Sequence, residues 1–218
     1  MALHRGLTAD QRREQRRQQL IEAALDVIAE GGVGGLRVRA ISERARLNDR
    51  YFYESFRDCQ ELMLAAYDDQ FARALTGVTA VIAESPPELK LRVREILEFA
   101  IGFLDEDPRR SRLLIELQTS EALAERRHEV LGVLTQIMVG LVGDGSGADD
   151  TATLTAVTVS SGLLELAAQW YRQQIDISRA QLIEFTTALV VTTADITGVL
   201  ERQLAPPISG DSTDDGRS

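Results

Sequence analysis

The chain has 218 residues, 34 acidic and 24 basic, a formal charge of −10 and 44% hydrophobic residues. Such a composition suits one large or two modest globular domains with a real core, and it excludes a wholly disordered, fibrous or collagen-like chain. The acidic total argues against coating nucleic acid or anionic membrane through an overall field. No uninterrupted apolar run reaches the roughly 18 residues of a bilayer span, and the arginine-rich N-terminus lacks the apolar core of a secretory signal, so a cytoplasmic protein without membrane contact is expected.

Apolar residues recur three and four apart almost throughout and strand-like alternation is scarce, so the chain reads as all-α. Thr8 and Gln11 fit a capping box that opens a first helix. Its stripe Leu20, Ile21, Ala24, Leu25 and Ile28 is set for burial, and Gly31 and Gly32 end it. A short helix over about 38–45 follows, then a minimal turn at Arg46 and Leu47, then a second short helix that Asn48 can cap, which together make a helix-turn-helix pattern. A long fourth helix is expected from Asp58 to Glu84, interrupted at Gly77. Pro86, Pro87 and Pro108 restart the chain, giving helices near 87–104, 108–119 and 121–142. After a glycine-rich loop at 143–147, two long helices near 150–175 and 179–204 close the fold, and residues 205–218 read as a disordered tail. The expectation is about nine helices, with a three-helix head over residues 1–57 and a larger helical body over 58–204.

Cys59 is the one cysteine, so no intrachain disulfide can form. His4 and His128 have no further ligands at metal spacing, and neither a metal nor a cofactor is expected. Charge is distributed unevenly: residues 1–62 carry 11 arginines against 10 acids, net +1, and residues 63–218 carry net −11. Every base in the first part is arginine, the better bidentate donor to phosphate oxygens and guanine edges.

Within the helix-turn-helix, Val38, Ile41 and Ala45 share one face, and Leu47, Phe52 and Phe56 supply the complementary apolar surface. Asp49, Arg50, Tyr51 and Tyr53 are then left to point elsewhere, which is the division a DNA recognition helix needs. The residues Val38-x-x-Ile41-Ser42, Ala45-Arg46-Leu47-Asn48, Phe52-Tyr53-x-x-Phe56 and Glu61-Leu62 resemble the tetracycline-repressor (TetR) family of transcriptional regulators over roughly residues 12–65. The resemblance implies a helix-turn-helix head on a helical ligand-binding and dimerisation body. It also implies that Tyr53 touches backbone phosphate and that Asn48, Asp49, Arg50 and Tyr51 sit at the groove. Arg50 is the candidate for direct base readout, since arginine pairs bidentately with guanine for ~1–3 kcal/mol of discrimination. The bland reading of Tyr51 and Tyr53 is aromatic packing.

Three departures from the family pattern stand out. Arg46 replaces the usual turn glycine, at a cost of roughly 1–2 kcal/mol if the turn is left-handed. Arg37 stands where Ser or Thr often caps the second helix, and Cys59 stands where a phosphate-binding lysine is usual, which makes Arg37, Arg39 and Arg57 the natural phosphate grips.

A helix-turn-helix touches few bases, so two copies spaced by one DNA turn are required, with homodimerisation through the last two helices. Their candidate interface stripes are Leu154, Val157, Leu164 and Ala168, and Leu182, Phe185, Leu189, Thr193 and Ile196. Phe99, Phe103, Leu114, Leu117, Leu134, Met138, Leu166, Trp170 and Tyr171 are candidate lining for a small-molecule effector, with ordinary core packing as the alternative for each. Glu116 and Glu165 stand among apolar neighbours, either to select a cationic or hydrogen-bonding ligand or on a solvated face. By the resemblance, an effector shifts the population toward a body conformation that moves the fourth helix and separates the recognition helices, releasing a double-stranded DNA operator.

Two rival classes remain. One is a helical adaptor whose helix-turn-helix no longer contacts DNA. The other is an enzyme, but Ser160 and Ser161 have no nearby histidine base, and the glycines at 31–35 lack the preceding strand of a phosphate loop.

Overall fold

A computed structural model describes residues 8–142 and 150–204; the loop expected at 143–147, the tail expected at 205–218 and His4 lie outside the described residues. Nine α-helices and two 3-10 turns are formed among the described residues. Local signals set most of their ends. Thr8 opens α1 (Ala9–Gly31) with both halves of the capping box, its hydroxyl accepting from the Gln11 N–H at 3.2 Å and Gln11 Oε1 accepting from the Thr8 N–H at 2.9 Å. Gly32 ends that helix at φ 68°, a conformation that favours glycine.

Helices α2 (Val38–Ala45) and α3 (Asp49–Ser55) are joined at Arg46, which adopts φ 55°, ψ 40°. The turn is therefore left-handed on a non-glycine residue, and backbone bonds of Arg46 N–H to Glu43 O (3.2 Å) and Leu47 N–H to Ser42 O (2.9 Å) offset the strain. Asp58 caps α4 (Cys59–Glu84), which runs unbroken through Gly77 rather than being interrupted there. Glycine is needed at that point for a packing reason: a Cβ at residue 77 would lie 1.9 Å from Phe99 Cζ of α5 (Leu89–Glu106).

Pro108 opens α6 (Pro108–Thr119) as expected, with Asp107 accepting from the Arg109 N–H. A 3-10 turn, Glu121–Leu123, precedes α7 (Ala124–Val142), so the helix expected from 121 starts later. The eighth helix, α8 (Asp150–Tyr171), stops short of residue 175 because Gln173 turns to φ 59° and Trp170 Nε1 donates to Ile177 O at 2.8 Å, closing the loop to α9 (Arg179–Leu204).

One apolar core crosses the junction expected near residue 57. Leu20, Ile21, Leu25 and Ile28 of α1 pack with Ile41 of α2 and Phe52 of α3, and the same cluster takes in Leu62 and Met63 of α4, Leu113 and Leu117 of α6, and Val130 of α7. Two smaller clusters lie farther along the body, one around Val93, Met138, Ala156 and Val190, the other around Ile101, Leu182 and Ile183.

The stripes expected on α8 and α9 divide between two faces. Ala168, Leu182 and Thr193 are buried, and Leu164 packs on the first core, so these four face the chain's own interior. Leu154, Val157, Phe185, Leu189 and Ile196, with Val199, remain exposed. The hydropathy expectation is also corrected: α8 and α9 are each long and apolar enough to cross a membrane by length and composition, with mean hydropathy 1.2 and 1.4 over their best windows. Buried Ser160, Thr186, Thr187, Thr193 and Thr197 line their inner faces, and the exposed apolar residues form stripes rather than full circumferences.

Candidate nucleic-acid interface

Packing sets the recognition surface. Ile41 and Phe52 are fully buried and Phe56 nearly so, which fixes the angle of α3 against α2. Asn48 caps α3 through its Oδ1, accepting from the Arg50 N–H at 2.9 Å. All eight residues expected at DNA are then brought to the surface: Arg37, Arg39, Asn48, Asp49, Arg50, Tyr51, Tyr53 and Arg57. Tyr53 is 63% exposed, its ring meeting the buried Phe52 ring edge-on at 5.4 Å, so packing occupies only one edge of it. Tyr51 is more engaged, with the Arg16 guanidinium of α1 lying 4.6 Å from its ring centroid.

The arginines of this surface are paired. Arg39 bonds Glu43 at 2.9 Å, Arg50 bonds Glu54 at 3.1 Å and Arg57 bonds Glu61 at 3.0 Å. The hydrogen bonds to their glutamates raise the pKa of Arg39 and Arg57, and bonds from Arg57 lower that of Glu61. Arg37 is spent differently, donating to Gly34 O at 3.0 Å and Leu36 O at 2.7 Å, so it closes its own loop. Cys59, in the place where the family pattern has lysine, is half-buried, and burial pushes its thiol pKa up.

Arg13 and Arg16 tie α1 to α3, the first by donating to Glu54 O at 2.8 Å and the second through an ion pair with the Glu54 carboxylate at 3.7 Å. Sequence reasoning did not single out these two, nor Glu43 and Glu54. The four-residue spacing of Arg39 to Glu43 and of Arg50 to Glu54 was the available signal.

A second set of contacts joins this surface to the body. Arg109 of α6 reaches Asp26 at 2.8 Å and Glu22 at 3.0 Å on α1 while held by Asp107 at 2.7 Å, and Arg44 of α2 bridges Asp26 at 3.5 Å and Glu30 at 2.7 Å. Hydrogen bonding to Asp107 raises the Arg109 pKa and, reciprocally, lowers that of Asp107. Glu116, expected on a solvated face or at a ligand, is instead buried. Its carboxylate accepts from the Val33 N–H at 3.3 Å and pairs with Arg112 at 2.9 Å, so α6 grips the α1–α2 connection. Glu165 is likewise engaged by its own chain, accepting from Gln169 at 2.8 Å.

The nine residues expected to line an effector pocket are distributed over several apolar clusters. Leu117 and Leu134 belong to the first core, Met138 to the second, and Leu166 and Trp170 to the third. Phe99 stacks on Phe103 at 6.1 Å, and Arg110 covers Phe103 at 3.9 Å. Tyr171 donates to Asp105 at 2.9 Å, burial raising its pKa, and Leu114 is half-buried. Two open cavities are found on other parts of the surface, the second of them mostly polar. One of about 350 Å³ sits between α1 and α2 at Gln18, Glu22 and Arg44, and one of about 620 Å³ runs beside α4 at Arg57, Asp68 and Arg126. Among the described residues no three His, Cys, Asp or Glu side chains are grouped to hold a metal ion.

Comparison with known proteins agrees with this geometry. Residues 20–66 match the model for bacterial regulatory proteins of the tetR family. Over 177 residues the chain is 24% identical to the HTH-type transcriptional activator FasR of Mycolicibacterium smegmatis, covering 80% of each chain. Over 189 residues it is 24% identical to the transcriptional repressor KstR of the same organism, covering 83% of this chain and 89% of that one. The crystal structure of the regulator FadR from Bacillus subtilis, in complex with stearoyl-CoA, shares the fold with a TM-score of 0.66 at 19% identity, over 81% of this chain and 98% of that one. The helix-turn-helix geometry, the family model and these regulators agree that residues 20–66 are a segment of the tetR regulatory type, on a chain that is similar along most of its length to transcriptional regulators.

Proposed function

We propose that the protein is a ligand-responsive repressor that binds a near-palindromic DNA operator as a homodimer and is released by a small-molecule effector, acting in the cytoplasm where that operator lies. The observation that carries this reading is the exposed, rigidly backed edge of α3, where Arg50 and Tyr53 are exposed beside a Tyr51 covered by Arg16, while Phe52 and Phe56 hold the helix. In this reading residues 1–57 make the DNA contacts, Arg50 reads a base edge, and Tyr53, Arg39 and Arg57 meet phosphate. Residues 58–204 bind the effector and the second copy.

The exposed stripes of α8 and α9 suit a two-fold helical interface, since each presents apolar residues at helical spacing on one side only. Coupling between body and head runs through α6, because Arg109 and Glu116 make direct bonds to α1 and to the connection after it. An effector that favours a shifted α6 therefore carries the head with it.

The effector class to test first is the long-chain acyl thioester, because FadR of Bacillus subtilis holds stearoyl-CoA in its crystal structure. The repressor sign follows KstR rather than FasR, whose own name is that of an activator. The test is a gel shift on duplex DNA from upstream of the chain's own gene, at two salt concentrations, with and without stearoyl-CoA. A regulator binds, weakens steeply with salt and lets go on adding effector. Absence of binding at low salt overturns the reading, and binding indifferent to stearoyl-CoA removes this effector class.

A further inference from the structure

Three of the exposed arginines in and beside the helix-turn-helix share a detail of geometry. In each, the guanidinium Nε donates to a glutamate four residues later: Arg39 to Glu43, Arg50 to Glu54 and Arg57 to Glu61. The arginine side chains are 87%, 83% and 86% exposed, so the pairs lock no buried structure. Helix stability does not call for them either. Pairs with the acid on the N-terminal side are the more stabilising order, and here the arginine comes first. Arg39 and Arg50 also occupy first turns, where the helix dipole disfavours a cation.

Glu61 has a separate duty at the start of α4, where it accepts from the Arg57 N–H at 2.8 Å and its own N–H donates to Asp58 at 2.8 Å. Glu54 braces α1 through Arg16 as well. The Glu43 carboxylate pairs with Arg39 alone among the described residues.

We propose that Glu54 is a specificity-determining residue and Glu43 a brake on phosphate binding: each holds the Nε edge of a DNA-facing arginine and leaves its two Nη groups for the duplex, and Glu54 penalises binding in which its arginine finds phosphate alone. This inference rests on the reading of α2 and α3 as the DNA interface. Bidentate pairing with guanine O6 and N7 needs only the two Nη donors, so Arg50 can read a base while Glu54 still orients it. On an unrelated duplex the same arginine finds only phosphate, the carboxylate is brought against like charge, and no base contact compensates. Glu54 thus suppresses non-specific affinity more than operator affinity, while Glu43, beside a phosphate-facing arginine, lowers both alike.

The experiment uses the full-length protein, a duplex selected by the wild type from a random pool, and a shuffled duplex of equal composition. For Glu43→Gln/Glu54→Gln, affinity for the shuffled duplex rises about tenfold at low salt. Its log–log salt slope steepens by about 2, one for each unmasked arginine, and the preference for the selected duplex falls by about threefold, the share that comes from Glu54. Because Glu54 also braces α1, Glu43→Gln alone is measured beside it and steepens the slope by about 1. Glu98→Gln on α5 is the control, since it breaks an arginine-first pair of the same spacing, Arg94 with Glu98, away from α2 and α3. If the control raises shuffled-duplex affinity as much, bulk charge is the cause and the proposal fails. If the wild type selects its duplex and Glu43→Gln/Glu54→Gln discriminates equally well, the proposal fails alone. If the wild type selects no duplex, the DNA-interface reading fails and takes this inference with it.

Discussion

Truncating Phe185 tests the proposed dimer face, because its side chain is 57% exposed on α9 amid Leu189, Ile196 and Val199. A free phenylalanine offers about 200 Å², which leaves about 110 Å² per copy for a partner to cover. At 25 cal/mol per Å² that burial contributes about 3 kcal/mol, and a two-fold interface counts it twice. Alanine keeps part of the area, so Phe185→Ala costs the dimer about 4 kcal/mol, roughly a thousandfold in Kd. Folding of the single copy changes little, since the removed atoms face solvent there. Sedimentation velocity over a nanomolar to micromolar series, with circular dichroism as the folding control, reads both quantities. A dimer Kd within a few fold of the wild type, in a normally folded variant, refutes the assignment of this stripe to the interface.

Other consequences are equally concrete. Gly77→Ala places a methyl 1.9 Å from Phe99 Cζ, and the forced repacking of α4 against α5 costs about 1–3 kcal/mol; an unchanged thermal midpoint contradicts that close approach. Arg50→Ala lowers operator affinity by about 1–3 kcal/mol and relaxes preference at one base position, whereas Tyr53→Phe weakens all duplexes alike; equal losses on every duplex remove Arg50 from base readout. Arg109→Ala cuts the α6 bonds to Asp26 and Glu22 while operator binding is retained. The variant releases operator less on addition of stearoyl-CoA, read as the ratio of operator affinities with and without it, and a wild-type ratio excludes Arg109 from the coupling path.

The distribution of charge explains why an acidic chain can face DNA at all. A near-neutral first 62 residues carries the arginines and the remainder carries net −11, so the body is repelled from the duplex while the head approaches it. Pairing with Glu43, Glu54 and Glu61 makes even that head electrically modest.

Helix order, the Thr8 capping box, the Asn48 cap, the position of the turn at Arg46 and the start at Pro108 were all legible from residue order, because caps, prolines and turns act within a few residues of themselves. The exposure of Arg50 and Tyr53 was legible for a similar reason, since the apolar set Ile41, Phe52 and Phe56 leaves their side free. Periodicity could not say which neighbour an apolar face meets. On α9, Leu182, Ile183 and Val190 turn inward while Phe185, Leu189 and Ile196 turn outward, so the single stripe expected there is two. Nor could it assign Leu117, Met138 and Trp170 to the three separate clusters in which three-dimensional packing places them. Glu116 is the sharpest case. Its partner, the Val33 N–H, lies 83 residues away, and burial of a carboxylate against a distant backbone donor arises only once α6 has packed against α1. Local free energies therefore settle where each helix begins and ends, and long-range burial alone settles which of its faces holds the chain together and which is left for DNA, effector or a second copy.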